Sequence, residues 1–472
     1  MKYDLLGIND IVYDSRKAAP DTAFVCLVGA KSDGHKFARM AYDKGTRVFF
    51  AQRELSLPDD AKVYISEDTR VTLAELSRQF FDYPDKKIKI IGVTGTKGKT
   101  TTSNIIAQIL NKSGKNAAVI GTNGIIINGK RTPTVNTTPE SYELYKSFKS
   151  MVDSGCDYCV MEVSSQAVKL NRVHGIEFDI GVFTNLSPDH IGEGEHADYD
   201  EYRSCKAGLF SRSKISIINC DEADSRYMLE AATGEVITYS VKDGDCCASD
   251  ICKWSEPGVL GVKFSCRYDN ITTELKIATP GIYSVYNALC AYAVCIRCGI
   301  TSAQIIKYLP ETRVKGRFEI VDALPDATVI IDYAHNGLSL ESVLKTIKEY
   351  EPKRLVVLFG SVGERTQLRR KELAEVTEKY ADFAIVTSDN PGNEDPDQII
   401  DEICSYLYDT EYVRFSDRAE AVEYAVTNAN KGDVILLAGK GHEDYQLIGN
   451  DKVPFSEYDI VINTAQRIRA IV

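Results

Sequence analysis

A glycine-rich turn between a strand and a helix constrains the fold of this chain more than any other feature. The turn, GVTGTKGKTT at residues 92–101, follows the apolar run IKIIGV and precedes TTTSNIIAQILNKSG, in which apolar residues recur at helical spacing. Gly95 and Gly98 allow backbone N–H groups to approach phosphate oxygens closely. Lys99 adds a positive charge at the helix N-terminus, and the Thr100 hydroxyl suits a Mg²⁺ ligand. This context predicts a phosphate-binding loop in an α/β domain.

The loop departs from the strict P-loop pattern at one position. That pattern has Gly or Ala five residues before Gly98, whereas this chain has Val93. A phosphate loop also occurs in hydrolases, kinases, motors and ligases, so it does not by itself specify a reaction.

Composition excludes several classes of protein. The 472 residues suggest about three domains. A net charge of −12 argues against a broad nucleic-acid-binding surface. The chain has no run of 18 apolar residues, which a membrane span would need, and its start, MKYDLLGIND, lacks a signal-peptide pattern. We therefore expect a cytoplasmic protein that binds no nucleic acid and has no membrane span. A monomer is a separate expectation that does not follow from composition.

The 13 cysteines are expected to be reduced thiols. Two pairs have CxxC spacing, Cys156/Cys159 in a strand-like segment and Cys295/Cys298 in a helix-like one. Neither segment resembles a zinc-knuckle turn, so packing is a better interpretation than zinc binding.

Changes of pattern along the chain predict three α/β domains, at residues 1–87, 88–310 and 311–472. Strand-like and helix-like segments alternate after residue 88, which is typical of a parallel sheet built from βαβ units. A β-rich stretch covers about residues 235–278, and a second alternating series begins near residue 311. In that series Gly, Asp and His cluster after the strands, where open α/β sheets bind ligands.

Several motifs in addition to GVTGTKGKTT resemble those of the Mur ligase superfamily, which are ATP-dependent amide ligases. Within it they are most similar to the MurE branch, which adds an amino acid to UDP-N-acetylmuramoyl-L-alanyl-D-glutamate. The motifs are DSR at 14–16, NTTP at 136–139, EVSS at 162–165, FTNLSPDH at 183–190, CKAGLF at 205–210, GRFE at 316–319, DYAH at 332–335, DNP at 389–391 and GKGHEDYQ at 439–446. The resemblance spans essentially the whole chain and implies an N-terminal UDP-binding domain, a central P-loop ATPase domain with a parallel sheet, and a C-terminal Rossmann-like domain that binds the amino acid.

The resemblance also implies a chemistry. Phosphorylation by ATP would convert the substrate carboxylate into an acyl phosphate, which the incoming amine attacks. Lys99, Glu162, His190 and Lys206 would form the catalytic group. Thr100, Glu162, His190 and Lys206 would hold two Mg²⁺ ions, with Lys206 acting as a carbamate formed from CO₂.

The resemblance further implies three sets of binding residues. Those for ATP are Gly95, Thr96, Lys97, Gly98, Lys99, Thr100, Thr101, Asn287, Arg317, Asp332 and His335. Those for the UDP-sugar-peptide are Ser15, Asn136, Thr137, Thr138, Ser164 and Arg172. Those for the amino acid are Arg370, Asp389, Asn390, Gly439 and Glu443.

The identity of the amino acid is left open between L-lysine and meso-diaminopimelate. In the branch that adds diaminopimelate, DNP is followed by Arg, which holds the distal carboxylate, but this chain has Gly392. Asn393, Glu394 and Asp395 follow and could supply an uncharged or acidic lining. We therefore expect a slight preference for L-lysine or another diamino acid without a distal carboxylate.

Three other functions are alternatives. A folylpolyglutamate- or cyanophycin-type ligase would not need the N-terminal DSR segment, because it binds no UDP. A relative acting on a different UDP-muramoyl or lipid-linked substrate is a further alternative. A non-catalytic nucleotide-binding scaffold would be expected to lose Lys99, Glu162, His190 or Lys206, all of which this chain retains.

Overall fold

The computed structural model describes residues 3, 5–29, 32–189, 191–192, 195–256, 259–364 and 367–471. The chain divides into two compact units. The first comprises Met1–Ser249, Cys266–Thr273 and Tyr286–Tyr308, and the second comprises Asp250–Ser265, Glu274–Val285 and Leu309–Val472. Both contain parallel strands connected by helices, which confirms the predicted α/β class.

The first unit begins with a small parallel sheet. Its elements are β1 (Asp10–Val12), β2 (Thr22–Val25), α1 (Ala38–Asp43), β3 (Val48–Ala51), β4 (Lys62–Ile65) and α2 (Thr69–Phe80). The strands pair in the order β1-β2-β3-β4. Phe24 and Phe49 are neighbours on β2 and β3, and both are fully buried. Burying each ring stabilises the fold by about 1.5–3 kcal/mol.

A second, larger sheet follows. The elements in this part of the chain are β5 (Lys89–Thr94), α3 (Lys99–Lys112), β6 (Ala117–Gly121), β7 (Gly124–Ile127), β8 (Lys130–Thr132), α4 (Ser141–Asp153), β9 (Tyr158–Glu162), α5 (Ser165–Lys169), β10 (Phe178–Phe183), α6 (Tyr199–Ala207), β11 (Ser213–Asn219), α7 (Ser225–Ala231), β12 (Glu235–Ser240), β13 (Cys246–Glu256), β14 (Val259–Tyr268), β15 (Ile271–Ile277), α8 (Ile282–Arg297) and α9 (Ser302–Tyr308). The strand order is β15-β14-β13-β12-β11-β10-β5-β9-β6-β7-β8. The predicted β-rich stretch therefore corresponds to β12–β15.

The centre of this sheet brings three strand ends together. Strand β5 lies between β9 and β10 and is parallel to both. Its apolar residues are buried, as expected for a strand covered on both faces. In register, Val93 lies opposite Glu162, and Thr94 lies opposite Phe183. The glycine-rich loop after β5 thus begins beside the carboxyl ends of β9 and β10.

The second unit contains another mostly parallel sheet. Its elements are β16 (Glu319–Val321), β17 (Thr328–Asp332), α10 (Gly337–Lys348), β18 (Arg354–Phe359), α11 (Gln367–Tyr380), β19 (Phe383–Thr387), α12 (Pro396–Cys404), β20 (Tyr412–Phe415), α13 (Arg418–Thr427), β21 (Asp433–Ala438), β22 (Tyr445–Ile448), β23 (Asp451–Pro454) and α14 (Glu457–Ile471). The six-stranded order is β16-β17-β21-β18-β19-β20, and among the described residues of this sheet only β16 is antiparallel to its neighbour. Strands β22 and β23 form a separate antiparallel pair. The carboxyl ends of β17, β21 and β19 lead into the DYAH, GKGHEDYQ and DNP motifs.

Among the described residues, no helix combines the length and the apolar character that crossing a membrane requires. The cysteines of the CxxC pairs lie in or beside secondary structure. Cys159 on β9 and Cys295 on α8 are fully buried, and burial raises the pKa of the Cys298 thiol to about 11.

Candidate active site

The glycine-rich loop is held tightly against the end of β10. Gly95 has φ +149°, and a Cβ atom at this position would lie 1.9 Å from the Thr184 hydroxyl oxygen. That hydroxyl donates to the Lys97 carbonyl at 2.7 Å, and the Lys97 N–H donates to the Asn185 side-chain oxygen at 2.8 Å. Glycine is required at residue 95 because any side chain would displace this contact.

Lys99 lies at the start of α3, with its ammonium folded back over the loop. Its Nζ donates to the carbonyls of Gly95, at 2.8 Å, and Thr96, at 3.0 Å. The N-terminus of α3 adds partial positive charge at the same place. This combination suits a bound phosphate group.

Glu162 is a buried carboxylate at the end of β9, only 1% exposed. Its Oε1 accepts hydrogen bonds from the Thr100 hydroxyl at 2.9 Å and from the Thr122 N–H at 2.8 Å. Its Oε2 accepts one from the Thr122 hydroxyl at 3.2 Å. Carboxylate and hydroxyl oxygens are the donors that Mg²⁺ prefers, so these residues fit a magnesium ion. Thr122 was not predicted from the sequence, because it lies in none of the motifs.

Lys206 projects from α6 towards the same loop and is 2% exposed. Its Nζ donates to the Gly95 carbonyl at 2.8 Å and lies 4.5 Å from the centre of the Tyr202 ring. Burial, followed by repulsion from Lys99, holds the pKa of Lys206 well below its ordinary value. The site therefore favours a neutral amine.

The other residues predicted to bind ATP in this unit lie around the loop. The Thr96 hydroxyl lies 3.0 Å from that of Tyr202, and Thr101 is in the first turn of α3. Asn287 on α8 accepts a hydrogen bond from the Thr102 hydroxyl at 3.1 Å. His190 lies outside the described residues.

The residues predicted to bind the sugar-peptide substrate mostly connect to Glu162. The Thr138 hydroxyl donates to the Glu162 carbonyl at 2.8 Å and accepts from the Ser164 N–H at 3.1 Å. Arg172 donates to the Thr138 carbonyl at 3.2 Å and to the Glu140 carboxylate at 2.8 Å.

The remaining members of this set are more dispersed. The Thr137 hydroxyl lies 3.2 Å from the Thr122 hydroxyl, and Asn136 beside it is partly exposed. Ser15 lies in the N-terminal sheet region, where its hydroxyl lies 3.3 Å from the Met40 sulfur. Thr137 therefore joins the group around Glu162, whereas the contact of Ser15 lies within the N-terminal sheet region.

In the second unit, the residues predicted to bind nucleotide surround the end of β17. The Asp332 carboxylate accepts the N–H groups of Phe318, at 2.7 Å, and Ala334, at 2.8 Å, and burial raises its pKa. The Arg317 guanidinium lies 4.8 Å from the centre of the Tyr333 ring, and His335 Nδ1 lies 2.8 Å from the Tyr333 carbonyl.

The residues predicted to bind the amino acid also lie in the second unit, where they form one network. Asn390 donates to Glu443 at 3.0 Å. Lys440, which is fully buried, donates to the side-chain oxygens of both, at 2.7 Å each. A Cβ at Gly439 would lie 2.8 Å from an Asp389 carboxylate oxygen. Lys440 lies within the GKGHEDYQ motif, but the motif alone predicts no role for it.

Arg370 lies apart from this network. Its guanidinium donates to Glu394 and Glu402, at 2.6 Å each. Its side chain is only 4% exposed. The guanidinium, which was predicted to hold a carboxylate of the substrate, is therefore already paired with two carboxylates of the protein.

Together, the first unit places a lysine, a hydroxyl and a carboxylate around a phosphate-binding loop. Such a site can bind a nucleotide triphosphate and stabilise charge that develops during phosphoryl transfer. The second unit presents paired acidic and amide groups suited to a substrate ammonium.

Three family matches cover most of the chain. Residues 7–81 match the catalytic domain of the Mur ligase family, residues 93–295 match the Mur ligase middle domain, and residues 316–441 match the glutamate ligase domain of Mur ligases. The fold therefore comprises three Mur ligase domains.

Curated relatives and solved structures agree with these matches. A UDP-N-acetylmuramoyl-L-alanyl-D-glutamate--2,6-diaminopimelate ligase from Caldanaerobacter subterraneus subsp. tengcongensis is 40% identical, over 98% of this chain and 96% of its own. One of the same name from Geobacillus thermodenitrificans is also 40% identical, over 96% and 94%. A solved structure of an enzyme of this name has a TM-score of 0.73 at 27% identity, covering 98% of this chain and 95% of its own.

A more distant structure supports the fold alone. The MurF ligase from Thermotoga maritima, solved with ADP, has a TM-score of 0.63 at 18% identity and full coverage of both chains. On the evidence of its full-length relatives and its three domain matches, the chain belongs to the Mur ligase family of ATP-dependent amide ligases.

Proposed function

We propose that this ligase adds a diamino acid to UDP-N-acetylmuramoyl-L-alanyl-D-glutamate, in the cytoplasm, where ATP and nucleotide sugars are made. The main support is the convergence of three side chains on one loop. Lys99 and Lys206 both donate to the Gly95 carbonyl, and Glu162 accepts from Thr100. This arrangement suits the transfer of a phosphoryl group from ATP to the substrate carboxylate.

The proposed reaction has two chemical steps. In the first step, the substrate carboxylate oxygen bonds to the γ-phosphorus, the bond to the β-phosphate oxygen breaks, and ADP leaves. In the second, the neutral amine attacks the acyl carbon, the bond to the phosphate oxygen breaks, and the leaving phosphate takes up the proton that the nitrogen loses. Lys99 stabilises the negative charge that collects on the phosphate oxygens.

Thr100 and Glu162 fit a magnesium ion, and the family resemblance adds His190 and Lys206 as ligands of a second. Bound magnesium neutralises charge on the phosphates and aligns the transferred group. Glu162 and Thr100 are already within 2.9 Å of each other, so little rearrangement is needed to form the first site.

We further propose that Lys206 reacts with CO₂. Its neutral amine forms an N–C bond to CO₂ and releases one proton to solvent, which gives a carboxylate-bearing side chain. The lack of exposure of Lys206 and its place beside Gly95 support this step, because burial disfavours an ammonium there. The resulting carboxylate could bind a cation that an ammonium would repel.

The names of the relatives support 2,6-diaminopimelate as the amino acid. Those from Caldanaerobacter and Geobacillus, at 40% identity, both add it according to their names. Asn390 and Glu443, which the buried Lys440 holds in place, offer an amide and a carboxylate to an ammonium group.

L-lysine is the second candidate, and the position of the Glu364 carboxylate near Gly392 favours it. A Cβ at Gly392 would lie 3.6 Å from the Glu364 carboxylate, in the region where the related branch has its arginine. Glu364 accepts a hydrogen bond from Asn393 at 3.0 Å. A carboxylate here would repel the distal carboxylate of diaminopimelate, whereas the side-chain ammonium of lysine would be attracted.

A substrate panel tests the proposed function. The purified protein is supplied with UDP-muramoyl-dipeptide, ATP, magnesium and bicarbonate, and with lysine, ornithine, meso-diaminopimelate or glutamate. We expect ADP and a new UDP-muramoyl-tripeptide to form in equal amounts with at least one diamino acid. Absence of the tripeptide with every amino acid would contradict the proposal, and the preferred amino acid decides between the two candidates.

The Glu364→Gln substitution tests the basis of that preference. Removing the negative charge should raise kcat/KM for diaminopimelate relative to lysine by up to about fivefold, since an exposed charge pair is worth up to about 1 kcal/mol. Asp397→Asn, in the first turn of α12, is the control for loss of a negative charge elsewhere in this unit. An unchanged ratio in Glu364→Gln would exclude Glu364 as a determinant of specificity.

A further inference from the structure

A fully buried arginine joins two of the strand ends that lead into the amino-acid motifs. Arg418 is the first residue of α13, and its side chain has no exposed surface. Its Nη1 donates to the Ser388 carbonyl at 3.1 Å, and its Nη2 donates to the Ala438 carbonyl at 2.7 Å. These carbonyls belong to the residues directly before Asp389 and Gly439.

The two segments approach each other closely at this point. Gly439 has φ +113°, and a Cβ there would lie 2.8 Å from Asp389 Oδ2 and 3.9 Å from Arg418 Nη2. The Lys440 ammonium lies 3.7 Å from Asp389 and 2.7 Å from the Asn390 side-chain oxygen. A small change in the separation of the segments would therefore move Asp389, Asn390 and Glu443 relative to one another.

The charge of Arg418 is balanced from a different element. Glu457, the first residue of α14, accepts from Arg418 Nε at 3.0 Å and Nη2 at 2.7 Å, and its side chain is 2% exposed. A buried ion pair often stabilises no more than apolar residues of similar volume would. The guanidinium has a geometric advantage, however, because its planar set of donors can reach two carbonyls and a carboxylate at once.

We propose that Arg418 is a positioning residue, which fixes the distance between residues 388–390 and residues 438–440 and so sets the geometry of the amino-acid site. This positioning role rests on the proposed function, because residues 388–390 and 438–440 include predicted contacts to the amino acid. Arg418 has no exposed surface for a substrate to contact, so it acts through Asp389, Asn390 and the segment that begins at Gly439.

Steady-state kinetics of Arg418→Lys test this role. Lysine keeps the positive charge beside Glu457 but cannot span both carbonyls. We expect the KM for the amino acid to rise about 10- to 100-fold, the range in which misplacement by about 1 Å affects catalysis. The KM values for ATP and the UDP-sugar substrate should stay close to those of the wild type. If the lysine variant does not fold, Arg418→Gln, which keeps a single NH₂ group as donor, replaces it in the assay.

Two control variants separate positioning from stability. Arg354→Met removes the 2.5 Å ion pair to Asp433. This pair joins the amino ends of β18 and β21, whereas Arg418 contacts the carboxyl end of β21. Glu457→Gln removes the counter-charge of Arg418 but keeps a hydrogen-bond acceptor. Both should lower the Tm without changing the KM for the amino acid. An unchanged amino-acid KM in Arg418→Lys, a parallel rise for all three substrates, or an equal rise in Glu457→Gln would overturn the proposal.

Hydrogen exchange provides a readout that does not depend on turnover. In Arg418→Lys, amides in residues 389–393 and 439–443 should exchange faster than in the wild type, and in Arg354→Met they should not. If the wild-type protein made no tripeptide, the proposed function would be contradicted. The comparison of hydrogen exchange between the variants would still test the role of Arg418. Unchanged exchange in both segments of Arg418→Lys would overturn the positioning role.

Discussion

Replacing Lys206 with alanine should reduce kcat for tripeptide formation by about 10²- to 10³-fold, which corresponds to about 3–4 kcal/mol of lost charge stabilisation. The side chain is buried beside the phosphate-binding loop, where its Nζ contacts the Gly95 carbonyl at 2.8 Å. As a carbamate it would supply a carboxylate to a cation on the phosphates, and alanine cannot. ATP binding should stay nearly intact, because Lys99 and the loop are unchanged. Tripeptide assays in bicarbonate, together with nucleotide titrations, measure both quantities.

Lys214→Ala is the matched control for this substitution. Lys214 belongs to the same unit, but its side chain is 65% exposed and pairs with Asp179, away from the loop. Its loss should change turnover little, because an exposed ion pair contributes at most about 1 kcal/mol to stability. Wild-type protein in ¹³C-bicarbonate should show a carbamate carbon resonance that Lys206→Ala lacks. Near-normal turnover in Lys206→Ala would refute the proposed role.

The parts of this site that could be predicted from sequence are those that depend on short segments. Strand β5, the turn at Gly95 and Gly98, and helix α3 follow one another within 25 residues. Local patterns of apolar residues and glycine therefore predicted this βα unit, and α3 (Lys99–Lys112) lies where it was expected. The α/β class followed for the same reason, since alternating strands and helices favour a parallel sheet.

Long-range contacts account for most of what sequence patterns did not reveal. Thr122 contacts Glu162 because β6 and β9 are neighbours in the sheet, although the two residues are 40 positions apart. Arg418 meets the carbonyls of Ser388 and Ala438 only after β19, α13 and β21 have packed. An arginine at a helix start looks like an ordinary exposed residue until that packing is known. Family resemblance supplied Lys206, which looks like a common helix lysine by local pattern.

The Glu162→Gln substitution should be as damaging as the loss of Lys206, for a different reason. Glutamine has nearly the same shape and can still accept hydrogen bonds from Thr100 and the Thr122 N–H, so the fold should be preserved. It lacks the negative charge that a magnesium ion needs from a buried ligand. We expect kcat to fall about 10²- to 10³-fold, as found when one preorganised electrostatic contact is removed from an active site.

Magnesium dependence distinguishes this explanation from a general defect. In the wild type, ATP with magnesium should raise the Tm more than ATP alone, because a ligand at 100 times its Kd stabilises the native state by about 2.7 kcal/mol. Glu162→Gln should lose the increment due to magnesium and keep the effect of ATP alone. Asp179→Asn is the control. Asp179 on β10 accepts the Ile90 N–H at 2.9 Å near the amino end of β5, opposite to the end that leads into the glycine-rich loop. A full magnesium increment in Glu162→Gln would show that the ion is held elsewhere, and Glu162 would then serve mainly to fix Thr100 and Thr122.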